Sequence, residues 1–212
     1  MKVISWNLLR RTGAAVTDVA ALIEVHHPDL LFMQEATEEI EALPSAIGGH
    51  LVHQHLSKRI YGLAAWSRDA LVRPYALPLP VSRMPGRVPP RIAQIVRIDG
   101  VTFANVHLSH GQILNRRQLI RIASALQGPA AIIGDYNAIG WTKLSGFKDI
   151  GPRERTHLAT NILPFRLDRC MTRGLECTAA RVLHRGPSDH HPILLGLEVA
   201  HGSARDAQRV SL

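Results

Sequence analysis

Apolar residues in this chain mostly fall in short runs with a period of two, and the runs close on polar side chains. Residues 1–7 alternate, are rich in β-branched types and predict a strand ending at Asn7. Leu30–Met33 is a second apolar run and ends in Gln34-Glu35. Leu51–His55, Tyr61–Trp66 and Leu71–Leu77 predict further strands, and Arg91–Ile98 with Val101–Leu108 reads as a hairpin around Asp99-Gly100. Ala130–Ile133, fenced by Gln127-Gly128-Pro129 and by Gly134, predicts a short buried strand. Later strands are expected near Arg166–Met171, Cys177–Val182 and Pro192–Val199. Helical spacing is confined to three places. Val16, Val19, Ala20, Leu22 and Ile23 form one stripe, with Thr12 or Thr17 as cap and His27-Pro28-Asp29 as stop. Leu119, Ile122, Ala123 and Leu126 share one face of a helix over Leu114–Leu126, and a short helix over Glu38–Leu43 is expected to stop at Pro44.

Strand–helix–strand therefore occurs twice, over Ile4–Glu35 and Phe103–Asp135, and 28 positions separate both Asn7 from Glu35 and His107 from Asp135. Two such halves packed face to face would bring four polar strand ends into one cleft. The 212 residues suit a single domain, expected over 1–199, followed by a loose polar tail over 200–212. Residues 78–90 carry five prolines with Arg83 and Arg87, so they predict a loop whose basic side chains lie at the mouth of a site.

The polar closures carry the chemistry. Asn7, Glu35, His107, Asp135, Asn137, Asp168 and the pair Asp189-His190 all sit at or beside the end of an apolar run. A carboxylate in such a place costs free energy unless a cation or a hydrogen-bond partner compensates it. If the backbone stays extended past Gly134, Asp135 and Asn137 share one face and form a ligand pair for a hard cation or a clamp for a water molecule. A strand closed by an Asp/Asn turn reads equally well there. The absence of Cys/His zinc spacing favours an oxygen-rich site for Mg²⁺ or Mn²⁺.

Net charge is +8, carried by 21 Arg against 4 Lys, which suits a polyanionic partner because guanidinium pairs bidentately with phosphate. A compositional preference for Arg gives the same count. Cys170 and Cys177 flank a turn-like Thr172–Leu175 and are expected to be reduced thiols facing each other across a hairpin. With no membrane-length apolar run and no leader pattern, a soluble, cytoplasmic and monomeric protein is expected.

Taken in order, the motifs are Ser5-Trp6-Asn7, Gln34-Glu35, Tyr61-Gly62 with Ser67-Arg68, and Asn105-Val106-His107-Leu108. Gly134-Asp135-Tyr136-Asn137, Leu167-Asp168-Arg169 and Ser188-Asp189-His190-His191-Pro192 complete the series. Together they resemble the endonuclease/exonuclease/phosphatase superfamily, which includes deoxyribonucleases, abasic-site endonucleases, inositol-polyphosphate phosphatases and neutral sphingomyelinases. The resemblance implies an α/β fold, a two-sheet sandwich in four α-β-β-α layers, and metal-dependent hydrolysis of phosphate esters. It further implies that Glu35, with Asn7 and Asp189, ligates the cation, and that Asp135 and Asn137 position the attacking water and the phosphate. His190, oriented by Asp168, would act as acid/base or stabilise the phosphorane, and His107 would bond a phosphate oxygen. Arg91 and Tyr61 match as phosphate contacts.

His107 in its NVHL setting resembles the deoxyribonuclease and phosphatase branches. Arg155-Thr156-His157 ahead of Phe165–Arg169 resembles a bacterial subgroup. The substrate reading is nucleic acid, cleaved with little sequence preference, against a small-molecule or lipid-headgroup phosphoester. Trp6 and Trp66 are expected in the core. His26, His27, His50, His53, His55, His157, His184 and His201 are expected at the surface or in structural roles. Ser188 lacks a nucleophile elbow, and Arg116, Arg117 and Arg121 form a solvated helix face.

Overall fold

The structure is a computed structural model that describes residues 1–10, 12–82, 88–159 and 163–200; Arg83, Arg87 and the tail from His201 lie outside the described residues. Strand β1 (Lys2–Asn7) leads through α1 (Val16–His26) to β2 (Leu30–Thr37). A 3₁₀ turn (Glu38–Ala42) and α2 (Leu43–Ile47) precede β3 (His50–His55), β4 (Tyr61–Ser67) and β5 (Val72–Pro78). The hairpin of β6 (Ile92–Ile98) and β7 (Val101–His107) is followed by α3 (Gln112–Ala125) and β8 (Ala130–Asp135). Short strands β9 (Lys148–Asp149), β10 (His157–Ala159) and β11 (Leu163–Phe165) come next, then β12 (Asp168–Arg173), β13 (Leu175–Val182) and β14 (Ile193–Val199).

Two six-stranded sheets result, in the orders β13-β14-β1-β2-β4-β3 and β5-β6-β7-β8-β12-β9. Each contains one parallel pair, β1–β2 or β7–β8, spanned by a helical crossover, with antiparallel strands on both sides. The duplicated strand–helix–strand pattern is therefore a duplicated topology. Between the sheets lies a dry core of Val3, Leu30, Phe32, Ala65, Val96, Phe103, Ala131, Ile133 and Leu195. Phe32 and Phe103 meet across it with ring centroids 5.7 Å apart. Alternation sends the neighbouring residues outward. Ile4, Leu31 and Met33 pack under α1 and α2, while Ala104, Val106, Ile132 and Tyr136 pack under α3, completing the four-layer sandwich. Trp6 and Trp66 are buried in the outer layer, as expected.

One patch between the sheets is polar. Asn105 on β7 donates from Nδ2 to the Met33 and Ala64 carbonyls at 3.2 and 3.1 Å and to Gln94 Oε1 at 2.9 Å. Its Oδ1 accepts from Gln34 Nε2 at 2.7 Å, and Gln34 also reaches Ser5 Oγ at 3.0 Å. Gln94 in turn donates to the Val52 and Leu63 carbonyls at 2.9 and 3.3 Å. All four polar residues are buried. The bonds join β1, β2, β3 and β4 of one sheet to β6 and β7 of the other and set how the sheets register.

The structure corrects several local expectations. Pro44 begins α2 instead of ending a helix, which is the first-turn position where its missing N–H is harmless. Ala15, and neither Thr12 nor Thr17, caps α1; Asp18 Oδ2 accepts from the Ala15 N–H at 2.8 Å. Past Asp135 the chain does not stay extended, because Asn137 has φ 48°. Cys170 and Cys177 do not face each other across a hairpin: β12 and β13 belong to different sheets, the chain crossing between them at Gly174 (φ 66°). Both thiols are free, Cys170 buried and Cys177 exposed.

Replacing Asn105 by Leu leaves the Gln34 amide and two carbonyls without their partner. It should destabilise the fold by ~2–4 kcal/mol, as buried groups stripped of hydrogen bonds do; denaturant unfolding with an unchanged m-value is the check.

Candidate active site

The strands that close on polar residues do so at one end of the sandwich. Asp135 is its centre. It ends β8 and is almost fully buried; its Oδ2 accepts from Asn7 Nδ2 at 3.1 Å. The same oxygen lies 3.4 Å from His107 Nε2 and 3.8 Å from His190 Nε2. Gly134 makes this placement possible, since a Cβ there would lie 2.1 Å from the Val106 carbonyl oxygen and its φ is 138°. Asn137 reaches the group by a turn: its N–H donates to Asp135 Oδ1 at 2.9 Å and its Nδ2 to the Leu108 carbonyl at 3.0 Å. The Asp/Asn turn and the polar pair are thus one feature.

His190 is held on every side. Asp168, the first residue of β12, places Oδ2 2.8 Å from Nδ1, so the ring carries its Nδ1 proton toward that carboxylate. Ser188 Oγ donates to the Asn7 carbonyl at 2.7 Å and accepts from the His190 N–H at 3.1 Å; Trp6 Nε1 donates to the His190 carbonyl at 3.0 Å. Thr156 supports Asp168 from behind, its Oγ1 accepting from the Leu167 and Asp168 N–H groups at 3.1 and 2.9 Å.

Charge separates the two histidines. Burial pushes His107 down to about 3, so it is neutral at physiological pH. Burial acts the same way on His190, but the carboxylates of Asp168 and Asp135 overcome it and push the imidazole up to about 10. His190 is therefore an imidazolium before any cation or substrate binds.

Glu35 sits where β2 bulges out of register with β4, between Gln34 and Ala36, and has φ 53°. A non-glycine residue in the left-handed region stores strain of a kind found at functional sites. On its other side β2 keeps an unbroken register with β1, Asn7 standing opposite Gln34, and Arg10 Nη1 meets Glu35 Oε2 at 3.0 Å. Arg10 also lies over the Tyr61 ring, 4.9 Å from its centroid. A cleft of about 760 Å³ opens beside these residues, lined by Leu8, Arg10, Glu35, Thr37 and Arg59 among others. Arg91 is buried nearby, and its Nε and Nη1 have no hydrogen-bond partner among the described residues. Burial lowers its pKa against the opposing pull of Tyr61, Asp135 and Glu35.

An amide and two carboxylates, as on Asn7, Glu35 and Asp189, are donor types that a hard divalent cation takes. The ligand atoms that lie together are those of Asp189, His157 and His190, all within 4.8 Å of one another, and Asp189 Oδ1 has no hydrogen-bond partner among the described residues. Glu35 Oε2 is paired with Arg10, and Asn7 Oδ1 accepts from the Leu9 N–H at 3.1 Å. Asp189 Oδ2 stands 3.4 Å from His157 Nε2, and the His157 ring lies 4.4 Å from that of His190. His157 thus leaves the group of surface histidines and joins the site. Its only sequence signal is its place beside Thr156 in the Arg155–His157 motif. Arg10 and the inter-sheet amides also escaped sequence reasoning, whereas Ser188 proves to be a positioning group and not a nucleophile.

A neutral histidine, a cationic histidine and a central carboxylate, with a cation-suited oxygen set next to them, define a phosphoester-hydrolysing centre on a two-sheet sandwich. The profile of the Endonuclease/Exonuclease/phosphatase family matches residues 4–190, and the chain belongs to that family of phosphoester hydrolases, whose members are generally divalent-metal-dependent. Comparison with curated proteins finds no match. Among solved structures, an endonuclease/exonuclease/phosphatase from Bacteroides vulgatus is similar at TM-score 0.74 and 18% identity, over 93% of this chain and 98% of that one. The mannosyl-6-phosphatase Bt3783 of Bacteroides thetaiotaomicron gives 0.71 and 18%, over 93% and 99%. D. rerio TDP2 complexed with a single-strand DNA product gives 0.70 and 16%, over 94% and 99%. At these identities the likeness is one of fold.

The raised His190 has a thermodynamic signature in cation-free protein. The folded state holds its proton above the ordinary value of 6.5, so its stabilisation is complete below about 6.5 and is lost as pH rises through about 10. His107 has the opposite sign, its contribution being lost as pH falls from 6.5 toward about 3. Thermal melts in EDTA should show Tm declining from neutral toward alkaline pH. Asp168→Asn should flatten that decline and lower the His190 titration seen by NMR.

Proposed function

We propose that the protein is a Mg²⁺-dependent phosphodiesterase acting on nucleic acid with little sequence preference. The observation that carries the hydrolytic part is the line Asp168–His190–Asp135, in which a buried carboxylate fixes an imidazolium whose Nε2 faces a second carboxylate. At neutral pH that imidazolium has no lone pair with which to accept a proton. Asp135, with Asn137 beside it, orients the attacking water and takes its proton. The neutral His107 donates a hydrogen bond to a phosphate oxygen, and His190 holds the negative charge that develops as the ester bond breaks. Glu35, Asn7 and Asp189 would hold the divalent cation, which supplies Lewis-acid charge stabilisation at the phosphate.

The nucleic-acid part rests on the surroundings. Arg10 and Arg59 line the cleft together with Glu35, Glu38 and Glu39, so the support for a polyanion comes from Arg91, whose Nε and Nη1 are unpartnered among the described residues, and from the net charge of +8 of the whole chain. On the other side, the loop that starts at Asn137 presents Trp141 at 93% exposure, and Arg169 Nη2 anchors that loop through the Ala138 and Gly140 carbonyls at 2.9 and 2.6 Å. The indole lines hollows that also hold Lys143, Arg116 and Arg153, and an exposed indole among basic side chains is a stacking platform for an unpaired base. The fold itself does not choose, since a DNA-bound neighbour and a sugar phosphatase resemble it equally.

Glu35→Gln should lower kcat/KM on the order of a hundredfold or more and weaken Mg²⁺ binding by calorimetry. Unchanged Mg²⁺ affinity would remove Glu35 from the ligand set. Asp168→Asn and His190→Ala should each be severe, with the double variant little worse than the worse single one; multiplicative losses would mean that the two act independently.

Substrate class is tested by binding. Each neutralised phosphate contributes a log–log salt slope of about −0.9, so ~4 to 6 contacts weaken duplex binding roughly a hundredfold to a thousandfold between 50 and 200 mM salt. Asp135→Asn, which keeps the shape of the site, is the variant to titrate with DNA and RNA. If it binds them no better at low salt than at high, the nuclease reading yields to a small-molecule or lipid-headgroup phosphatase.

A further inference from the structure

The edge strand β3 bears His53 and His55 two positions apart, on one face of the sheet, and the 3₁₀ turn after β2 brings Glu41 over them. Glu41 Oε1 lies 2.9 Å from His53 Nδ1 and 3.3 Å from His55 Nε2. The two rings lie against each other with centroids 4.0 Å apart. The three ligand atoms all fall within 4.8 Å of one another.

A second contact decides how this cluster is read. His53 Nε2 lies 3.1 Å from the Ala36 carbonyl. A carbonyl oxygen only accepts, so Nε2 carries a proton; in the singly protonated ring Nδ1 then turns its lone pair toward the Glu41 carboxylate. Two acceptors at hydrogen-bond distance repel unless a positive charge lies between them. An imidazole that donates one nitrogen to a backbone carbonyl and aims the other at a shared point has the arrangement that orients metal-bound histidines. The His53 side chain is 3% exposed and fixed, while those of His55 and Glu41 are 46% and 54% exposed, leaving the shared point open to solvent.

We propose that His53 Nδ1, His55 Nε2 and Glu41 Oε1 form a second cation site, of the zinc class. Ligands ~2.0–2.1 Å from a tetrahedral ion lie about 3.3 Å apart; here the carboxylate oxygen is 2.9 and 3.3 Å from the two nitrogens, and all three atoms lie within 4.8 Å of one another. Two imidazoles and one carboxylate select Zn²⁺ over Mg²⁺, so this site differs in kind from the oxygen-rich centre at Glu35 and Asp189. A fourth position remains for water. Occupancy staples the outer edge of one sheet to the turn that follows the Glu35 bulge, and it fixes the Ala36 carbonyl one residue from Glu35.

The test uses the full chain, stripped with EDTA and returned to millimolar Mg²⁺ so that the oxygen-rich site is filled. Calorimetric titration with Zn²⁺ should show one more equivalent in the wild type than in His55→Ala or Glu41→Gln, with affinity at this site weakened at least ~10–100-fold by either change. Both substitutions are at exposed side chains and should leave the Zn²⁺-free Tm near wild type, while Zn²⁺ raises Tm only in the wild type. Co²⁺ should give intense tetrahedral visible bands that vanish in both variants. Wild-type stoichiometry and affinity in both variants would overturn the site. So would NMR showing His53 doubly protonated and unmoved by Zn²⁺, which would leave the cluster an ion pair.

Discussion

Two sheets that meet only through aliphatic side chains can slide, since dispersion and area burial are indifferent to small shifts. The amides of Gln34, Gln94 and Asn105 remove that freedom. They are buried and directional: Gln94 and Asn105 donate to backbone carbonyls of the other sheet, and Gln34 donates across to the Asn105 side-chain oxygen. Breaking any of them strands a polar group in the core at a cost well above what a shift in apolar contact could return. Gln34 adjoins Glu35, and Asn105 lies two residues before His107. The clamp therefore sits directly beneath the catalytic end and transmits its registry there. Asn7 of one sheet meets Asp135 of the other at 3.1 Å because the layers beneath them are locked.

Above the clamp, electrostatics divides labour between side chains of the same type. His107 and His190 both approach Asp135 Oδ2, yet one is neutral and the other charged. The difference is Asp168, a carboxylate that one ring has and the other lacks. Thr156, Ser188 and Trp6 bond to backbone atoms of Leu167, Asp168, Asn7 and His190; they hold the backbone on which the charged pair depends. An arrangement of this kind needs little motion to work, which suits a β-rich frame with short connections.

Much of this could be read from the chain. Strands announce themselves by alternation, and a polar residue closing an apolar run is conspicuous because its burial needs a compensating partner. That logic found Asn7, Glu35, His107, Asp135, Asp168 and His190. It was blind wherever the backbone departs from regularity. The β1–β2 register sets Asn7 opposite Gln34 whereas the β7–β8 register sets His107 opposite Asp135, so the matching spacings of 28 correspond to unequal registers, and the bulge at Glu35 lies in the pairing with β4. Asn137 joins Asp135 through a left-handed turn that no periodicity reveals. His157 was grouped with the surface or structural histidines despite its motif, because its place comes from a bridge to His190 that forms only in the folded chain. The crossing at Gly174 looked like a hairpin because local turn chemistry cannot tell which sheet receives the next strand.

The pairing of β1 with β14 has a consequence for the timing of activity. The Met1 amino group donates to the Leu197 carbonyl at 2.9 Å, and Lys2 stands opposite Gly196. Asp189 and His190 lie just ahead of β14, so they reach Asn7 and Asp135 only when that strand has docked beside the first. Such contacts, separated by nearly two hundred positions, form slowly because a large loop must close before they contribute anything. A growing or half-folded chain can form the cleft beside Glu35 while His190 is still away from Asp168 and Asp135. The polar cluster at this end of the sandwich is thus complete only once the last strand, ending at Val199, is in place.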